Sequence, residues 1–324
     1  MRDRPRFALP KPAPAGLWRR TPPMIFAPIA ALLALALAWR FGAMRLGLSP
    51  ALPGFAGGAS VALLGFAVLA YLVKCLRRPA VIAEECETLP GRVGLGAMVL
   101  AFLLGGGVLA EIAPALGRVM LVAGLGALVW LSAPFLRQIR TEGTWPGPDI
   151  QFGPGALLVA AAVAPMLGWD VVGRPLIYPG AALSLLFAAI SLRQLRNRRV
   201  PRVLLPLLAL HLIPVAAYGA ASVQLSAGLQ QTAYGLTLAG LIVLPVLALR
   251  AGTGLFLVAI TLPLALSSLF FALLAADMPE NRFLALLAAT GLVGTTMVCV
   301  PLAFWTMRDW ARGRLATRSN AAVA

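Results

Sequence analysis

Few residues in this chain are equipped for chemistry. There is one histidine in 324 residues, His211, so no histidine pair is possible. Cys75, Cys86 and Cys299 are the three cysteines. They are too few for a disulfide framework, lack C-x-x-C spacing and read as free thiols. No H-E-x-x-H, G-x-S-x-G or Walker A pattern is present. Glu84, Glu85 and Glu87 lie close in sequence to Arg77, Arg78 and Arg92, which reads as a solvated, charge-balanced loop rather than a metal site. Gly105–Gly107 sits inside an apolar run and cannot cradle phosphate from a water-facing loop. What remains is backbone chemistry, and Thr261-Leu262-Pro263, in the uncharged run Thr253–Ala276, carries most of it. A proline inside a helix leaves a carbonyl one turn earlier without its donor and bends the helix. At bilayer depth that is tolerated where neighbouring helices or a watery cavity satisfy the freed group. Pro263 therefore either shapes packing or marks a pore-lining helix.

The elements that must position these residues are apolar runs. The chain is 60% hydrophobic and 12% charged, with a mean hydropathy of +0.89, against roughly 25% charged for soluble domains. Ten runs mostly reach the ~20 residues a spanning helix needs. They are Pro23–Trp39, Phe55–Leu76, Val93–Ile112, Val119–Leu136, Gly153–Val171, Leu176–Leu192, Val203–Val223, Thr232–Leu249, Thr253–Ala276 and Phe283–Thr306. The short links around Val172–Pro175 and Ala251-Gly252 force antiparallel neighbours, hence helical hairpins. The expected class is an all-α integral membrane protein. A basic arm over 1–22 precedes a ten-helix domain over 23–306, and a basic tail covers 307–324. The first apolar run is long for a signal-peptide core, so it reads as an uncleaved span.

Charge placement supports ten spans. Of 27 Lys and Arg, five (Arg40, Arg45, Arg118, Arg174 and Arg282) fall on one side and the other 22 on the side of the termini. Under the positive-inside rule both termini are cytoplasmic. The net charge of +16 then reflects topology and an anionic leaflet, with no nucleic acid implied.

The odd-numbered runs share a pattern: a bulky apolar residue, then proline, then small residues. It appears as Phe26-Ala27-Pro28, Phe152-Gly153-Pro154, Leu212-Ile213-Pro214 and Leu262-Pro263. The third run has no proline and carries Phe102 before Gly105-Gly106-Gly107 instead. This suggests five related hairpins, each supplying one bent helix rich in small residues that let backbones approach closely.

Ionisable residues inside a membrane are the default functional pointers. Glu111 and Asp170 fall at span ends. His211 alone lies deep in a run, either as a titrating element or hydrogen-bonded to a neighbouring helix. Helices with uncharged middles suit a passive apolar pathway, closed by bulky side chains that exclude water.

Several stretches resemble the tellurite-resistance/dicarboxylate transporter family, which includes the plant slow-type anion channels. They are Gly252–Pro263 (G-T-G-L-F-L-V-A-I-T-L-P), Leu35-Ala36-Leu37-Ala38-Trp39, Tyr71-Leu72-Val73-Lys74 through Glu84-Glu85, and Pro206–Ala217. The family's ninth-helix pattern is roughly W-A-[FY]-[ST]-F-[PG]; Ala259, Thr261 and Pro263 match it, whereas Val258, Ile260 and Leu262 stand where it has aromatics. The resemblance implies a homotrimer. Each protomer would be a quasi-fivefold ring of five hairpins, with odd helices lining a central pore that passes small inorganic or organic anions. It places the gate at Leu262 in place of the family's phenylalanine.

The expected pore and gate set is accordingly Leu262, Thr261, Pro263, Phe26, Pro28, Phe102, Phe152, Pro154, His211 and Pro214. No cofactor or metal is expected, and the setting is a bacterial-type inner membrane. The rival readings are a secondary exporter of dicarboxylate, sulfite or tellurite-type oxyanions and, from another class, a membrane-embedded enzyme.

Overall fold

A computed structural model describes residues 20–142, 147–197, 200–251 and 254–323. Most of the basic arm, Gly252 and Thr253 lie outside the described residues. Every regular element among those described is helical. The helices are α1 (Phe26–Arg45), α2 (Ala51–Arg77), α3 (Val81–Glu87), α4 (Leu89–Val108), α5 (Pro114–Glu142) and α6 (Phe152–Val163). They continue with α7 (Asp170–Asn197), α8 (Leu212–Gln224), α9 (Gln230–Ala251), α10 (Thr261–Asp277), α11 (Arg282–Ala311) and α12 (Arg314–Arg318). Ten segments are long and apolar enough to cross a membrane, and they coincide with the ten expected runs to within several residues at each end. α4 begins four residues before its apolar run because the Thr88 hydroxyl accepts from Gly91 N (3.1 Å) and caps it, with Pro90 in the first turn where no donor is needed. α7 also starts early, at Asp170, after a left-handed turn at Gly168 (φ 72°).

The spans divide into two kinds. Between 61 and 89% of residues in the central windows of the odd-numbered spans are buried, against 17–33% in the even-numbered ones. α1 packs against α4 and α10; α4 packs against α6, α6 against α8, and α8 against α10. The even helices bury only a stripe. In α2 it runs Pro53, Gly57, Ser60, Leu64, Ala67, Tyr71, Lys74, alternating steps of four and three, the spacing of a narrow helical seam. Outside that stripe α2 exposes Phe55, Leu69 and Leu76, a face suited to lipid.

Small residues set the closest approaches. A Cβ on Gly106 of α4 would lie 2.7 Å from the Gly117 carbonyl oxygen of α5, so neither glycine tolerates a side chain there. The tail beyond Thr306 is structured. α11 continues to Ala311, Trp310 is buried with its ring against Phe66 of α2 (5.6 Å), and Leu315, Ala316 and Ser319 are buried. Arg78 reaches the Val323 carbonyl at 2.7 Å.

Candidate functional site

Four of the five inner spans change winding near their start, and the change follows from proline. Each opens with a 3-10 segment: Pro23–Ile25, Pro148–Gln151, Arg202–His211 and Leu255–Ile260. Each becomes α-helical two residues before a proline, at Phe26, Phe152, Leu212 and Thr261, ahead of Pro28, Pro154, Pro214 and Pro263. A proline ring collides with the carbonyl four residues earlier in an α-helix. Those four residues are Met24, Ile150, Leu210 and Ala259, and all lie within the 3-10 segments, where the tighter winding avoids the collision. Where the sequence predicts a bend at Pro263, the structure has a change of winding. The run consists of two helices of different pitch, and Pro263 occupies the first turn of the second, where its missing N–H costs nothing.

Side chains serve the 3-10 carbonyls. Thr261 Oγ1 donates to Val258 O (2.6 Å), and His211 Nδ1 lies 3.1 Å from Leu208 O. His211 Nε2 is buried without a partner. The Thr261 carbonyl accepts from Cys299 Sγ of α11 (3.3 Å). Thr261, Leu262, Pro28, Pro154, Pro214 and Pro263 are all buried, and Leu262 is 2% exposed.

The expected aromatics are not brought together. Phe26 meets Tyr71 of α2 edge to face (5.8 Å). Phe102 lies beside Gly124 of α5, and the Phe152 ring lies against Gly96 of α4. The fully buried aromatics of the ninth span are instead Phe271 and, against α8, Phe270. Its ring atoms lie 2.6–2.7 Å from where a Gly219 Cβ would project, so it fills the space on α8 left by that glycine. It stacks on Phe271 at 5.5 Å. From Leu262 it is eight residues on, about 12 Å along α10 and roughly 80° round it.

Two ionic clusters sit where the odd spans begin. The segment around Glu84–Glu87 is a short helix, α3, and its solvated reading is corrected for Glu85, which is 1% exposed. Its carboxylate accepts from the fully buried Lys74 ammonium and from the Tyr71 hydroxyl, while Lys74 Nζ also donates to Thr21 O (2.9 Å). Burial pushes the Glu85 carboxyl up from its ordinary range, against the opposing pull of Lys74 and the two hydrogen bonds. Glu84 pairs with Arg78 at the surface, as expected of the loop. The second cluster is Arg92 Nε on Asp149 Oδ2 at 2.7 Å, with Arg92 Nη1 also reaching the Cys86 and Glu87 carbonyls. Burial pushes the adjacent Cys86 thiol up to about 11, which makes it a poor nucleophile at neutral pH.

At the opposite ends Arg40 pairs with Glu111 (2.5 Å), and Arg118 donates twice to Leu167 O while lying over the Trp169 ring. No group of three or more His, Cys, Asp or Glu able to hold a metal occurs among the described residues. Compared with known proteins, the chain matches no family model and no curated sequence.

Proposed function

We propose that the chain is an anion channel or passive anion transporter of the cell membrane. Its path runs between α1, α4, α6, α8 and α10, arranged as a quasi-fivefold ring with the even helices outside. The observation that carries this reading is the set of five buried, largely uncharged inner helices. Each packs on the next and α10 packs on α1, and four change from 3-10 to α winding at a proline in the same register. Non-α backbone in a span is tolerated where it is packed in protein or lines a watery cavity, and its recurrence in one register on four inner helices supports a path. Closure falls to apolar bulk, with Leu262 and Phe270 of α10 as the constriction, because a narrow apolar neck excludes water and ions. The cationic side would hold the termini in the cytoplasm and concentrate anions near the mouth. Assembly as a homotrimer and kinship with the tellurite-resistance/dicarboxylate family belong to the same reading and rest on the resemblance of short stretches. The test is flux of chloride, nitrate, sulfite and malate into liposomes holding the purified protein. Strict dependence on a proton gradient would favour a coupled exporter instead.

A further inference from the structure

α10 packs on α1 although the two lie at opposite ends of the span order and no single outer helix joins them in the chain. Where the chain does join neighbouring inner helices, the outer helix between them lies on both, as α5 does on α4 and α6, and α7 on α6 and α8. α11, the outer helix after α10, lies on α10 and on α1. It therefore covers the one seam between inner helices that the chain leaves unlinked.

Neighbouring side chains of α11 bond to both sides of that seam. Thr295 Oγ1 lies 2.6 Å from Ser268 Oγ of α10, and Cys299 Sγ, one turn on, donates to the Thr261 carbonyl at 3.3 Å. Thr296 Oγ1 accepts from Trp39 Nε1 of α1 at 2.9 Å. Consecutive helical residues point about 100° apart, which lets Thr295 and Thr296 serve different helices. One turn earlier the fully buried Leu292 fills the space beside Gly42 of α1, where a Cβ would collide with its Cδ1. Lipid gives helices no hydrophobic drive to associate, so polar pairs and small-residue contacts of this kind hold them together. We infer that α11 is a clamp that holds α10 on α1 through Thr295 and Thr296, and thereby positions the constriction at Leu262. The inference rests on the path proposed above. Leu262 follows Thr261, whose carbonyl is the acceptor of Cys299, so α11 fixes backbone next to the constriction. Thr295 and Thr296 are positioning residues on an outer helix and touch no ion.

Two readouts on the full-length protein separate the clamp from the path. In sodium dodecyl sulfate unfolding titrations, Ser268→Ala with Thr295→Val and Trp39→Phe with Thr296→Val form two double-mutant cycles. Each cycle is expected to show a coupling of about threefold in the unfolding constant, the size of an interhelical hydrogen bond in a membrane. In liposomes, Thr295→Val/Thr296→Val should raise anion flux per folded protein by up to about tenfold, the product of the two couplings. Thr295→Ser/Thr296→Ser keeps both hydroxyls and should behave as wild type. Thr290→Val should do the same, because the Thr290 hydroxyl bonds to carbonyls of its own helix. Additive cycles would overturn the clamp whatever the flux. Coupled cycles with wild-type or lower flux in the double valine variant would overturn the positioning role. Coupled cycles with no anion flux from wild type would keep the clamp and overturn the path instead.

Discussion

Replacing Lys74 by methionine isolates the energetics of the buried pair beside the first inner helix. Lys74 and Glu85 are 0% and 1% exposed, so removing the ammonium strands a carboxylate that water cannot reach. The Tyr71 hydroxyl remains as its donor. Breaking a buried ion pair by removing one partner costs ~3–5 kcal/mol, whereas replacing both with apolar groups of similar size is often neutral. Lys74→Met and Glu85→Gln are each expected to fall in that range in equilibrium unfolding, and Lys74→Met/Glu85→Leu to recover most of the loss. The pH dependence has a definite sign. Burial raises the folded Glu85 carboxyl above its unfolded value, so protonation favours the folded state. The stabilisation is full below an unfolded value near ~4.3 and is lost as pH rises through the raised one. Lys74→Met removes the opposing charge and should steepen that fall, and Glu85→Gln should flatten it. Single variants costing under ~1 kcal/mol, or a double variant losing the sum of both, would refute the stranded-charge argument.

Gly219→Ala should destabilise by ~1–3 kcal/mol through overpacking against Phe270, and Phe270→Leu in the same chain should relieve it, read by thermal unfolding of the three variants. With Cys75 and Cys299 replaced by serine, alkylation of Cys86 should accelerate about tenfold per pH unit from pH 8 to 10, because its thiolate fraction still grows below a pKa of about 11; a plateau near pH 8.5 would contradict its buried setting. His211→Gln should leave anion flux nearly unchanged from roughly pH 5.5 to 8, since His211 serves a 3-10 carbonyl; loss of a pH dependence seen in wild type would make it a titrating element.

The ten spans were legible because spanning length and segregated charge are coarse signals that neighbours do not alter. The recurrent proline was legible too, but its consequence was not. A proline announces a break without saying whether the helix bends or changes pitch, and that depends on whether the four preceding residues can wind as 3-10. Lys74 was readable only as one more basic residue. Its position at the next step of the stripe Leu64, Ala67, Tyr71 was the signal that it would be buried, and Glu85 four residues into α3 was the partner to seek. Asp149 carried no such mark, since its burial depends on the 3-10 segment before α6 meeting Arg92 of α4. Phe270 escaped notice for a similar reason. Its importance comes from Gly219 on another helix, and no spacing within one run reveals that.

Flux through Leu262 variants tests the central claim most directly. Leu262 is buried in the main core, while Leu264, about 200° round α10, is half-buried and packs against both that core and the cluster of Ala209, Leu212, Leu244 and Ile260. In liposomes, Leu262→Ala should raise anion flux clearly, at a stability cost in the ~2–5 kcal/mol range of a buried leucine truncation. Leu262→Phe should lower the flux, and Leu264→Ala should leave it near wild type. Equal effects from Leu262→Ala and Leu264→Ala, or a large stability loss from Leu262→Ala with no change in flux, would contradict a constriction at Leu262.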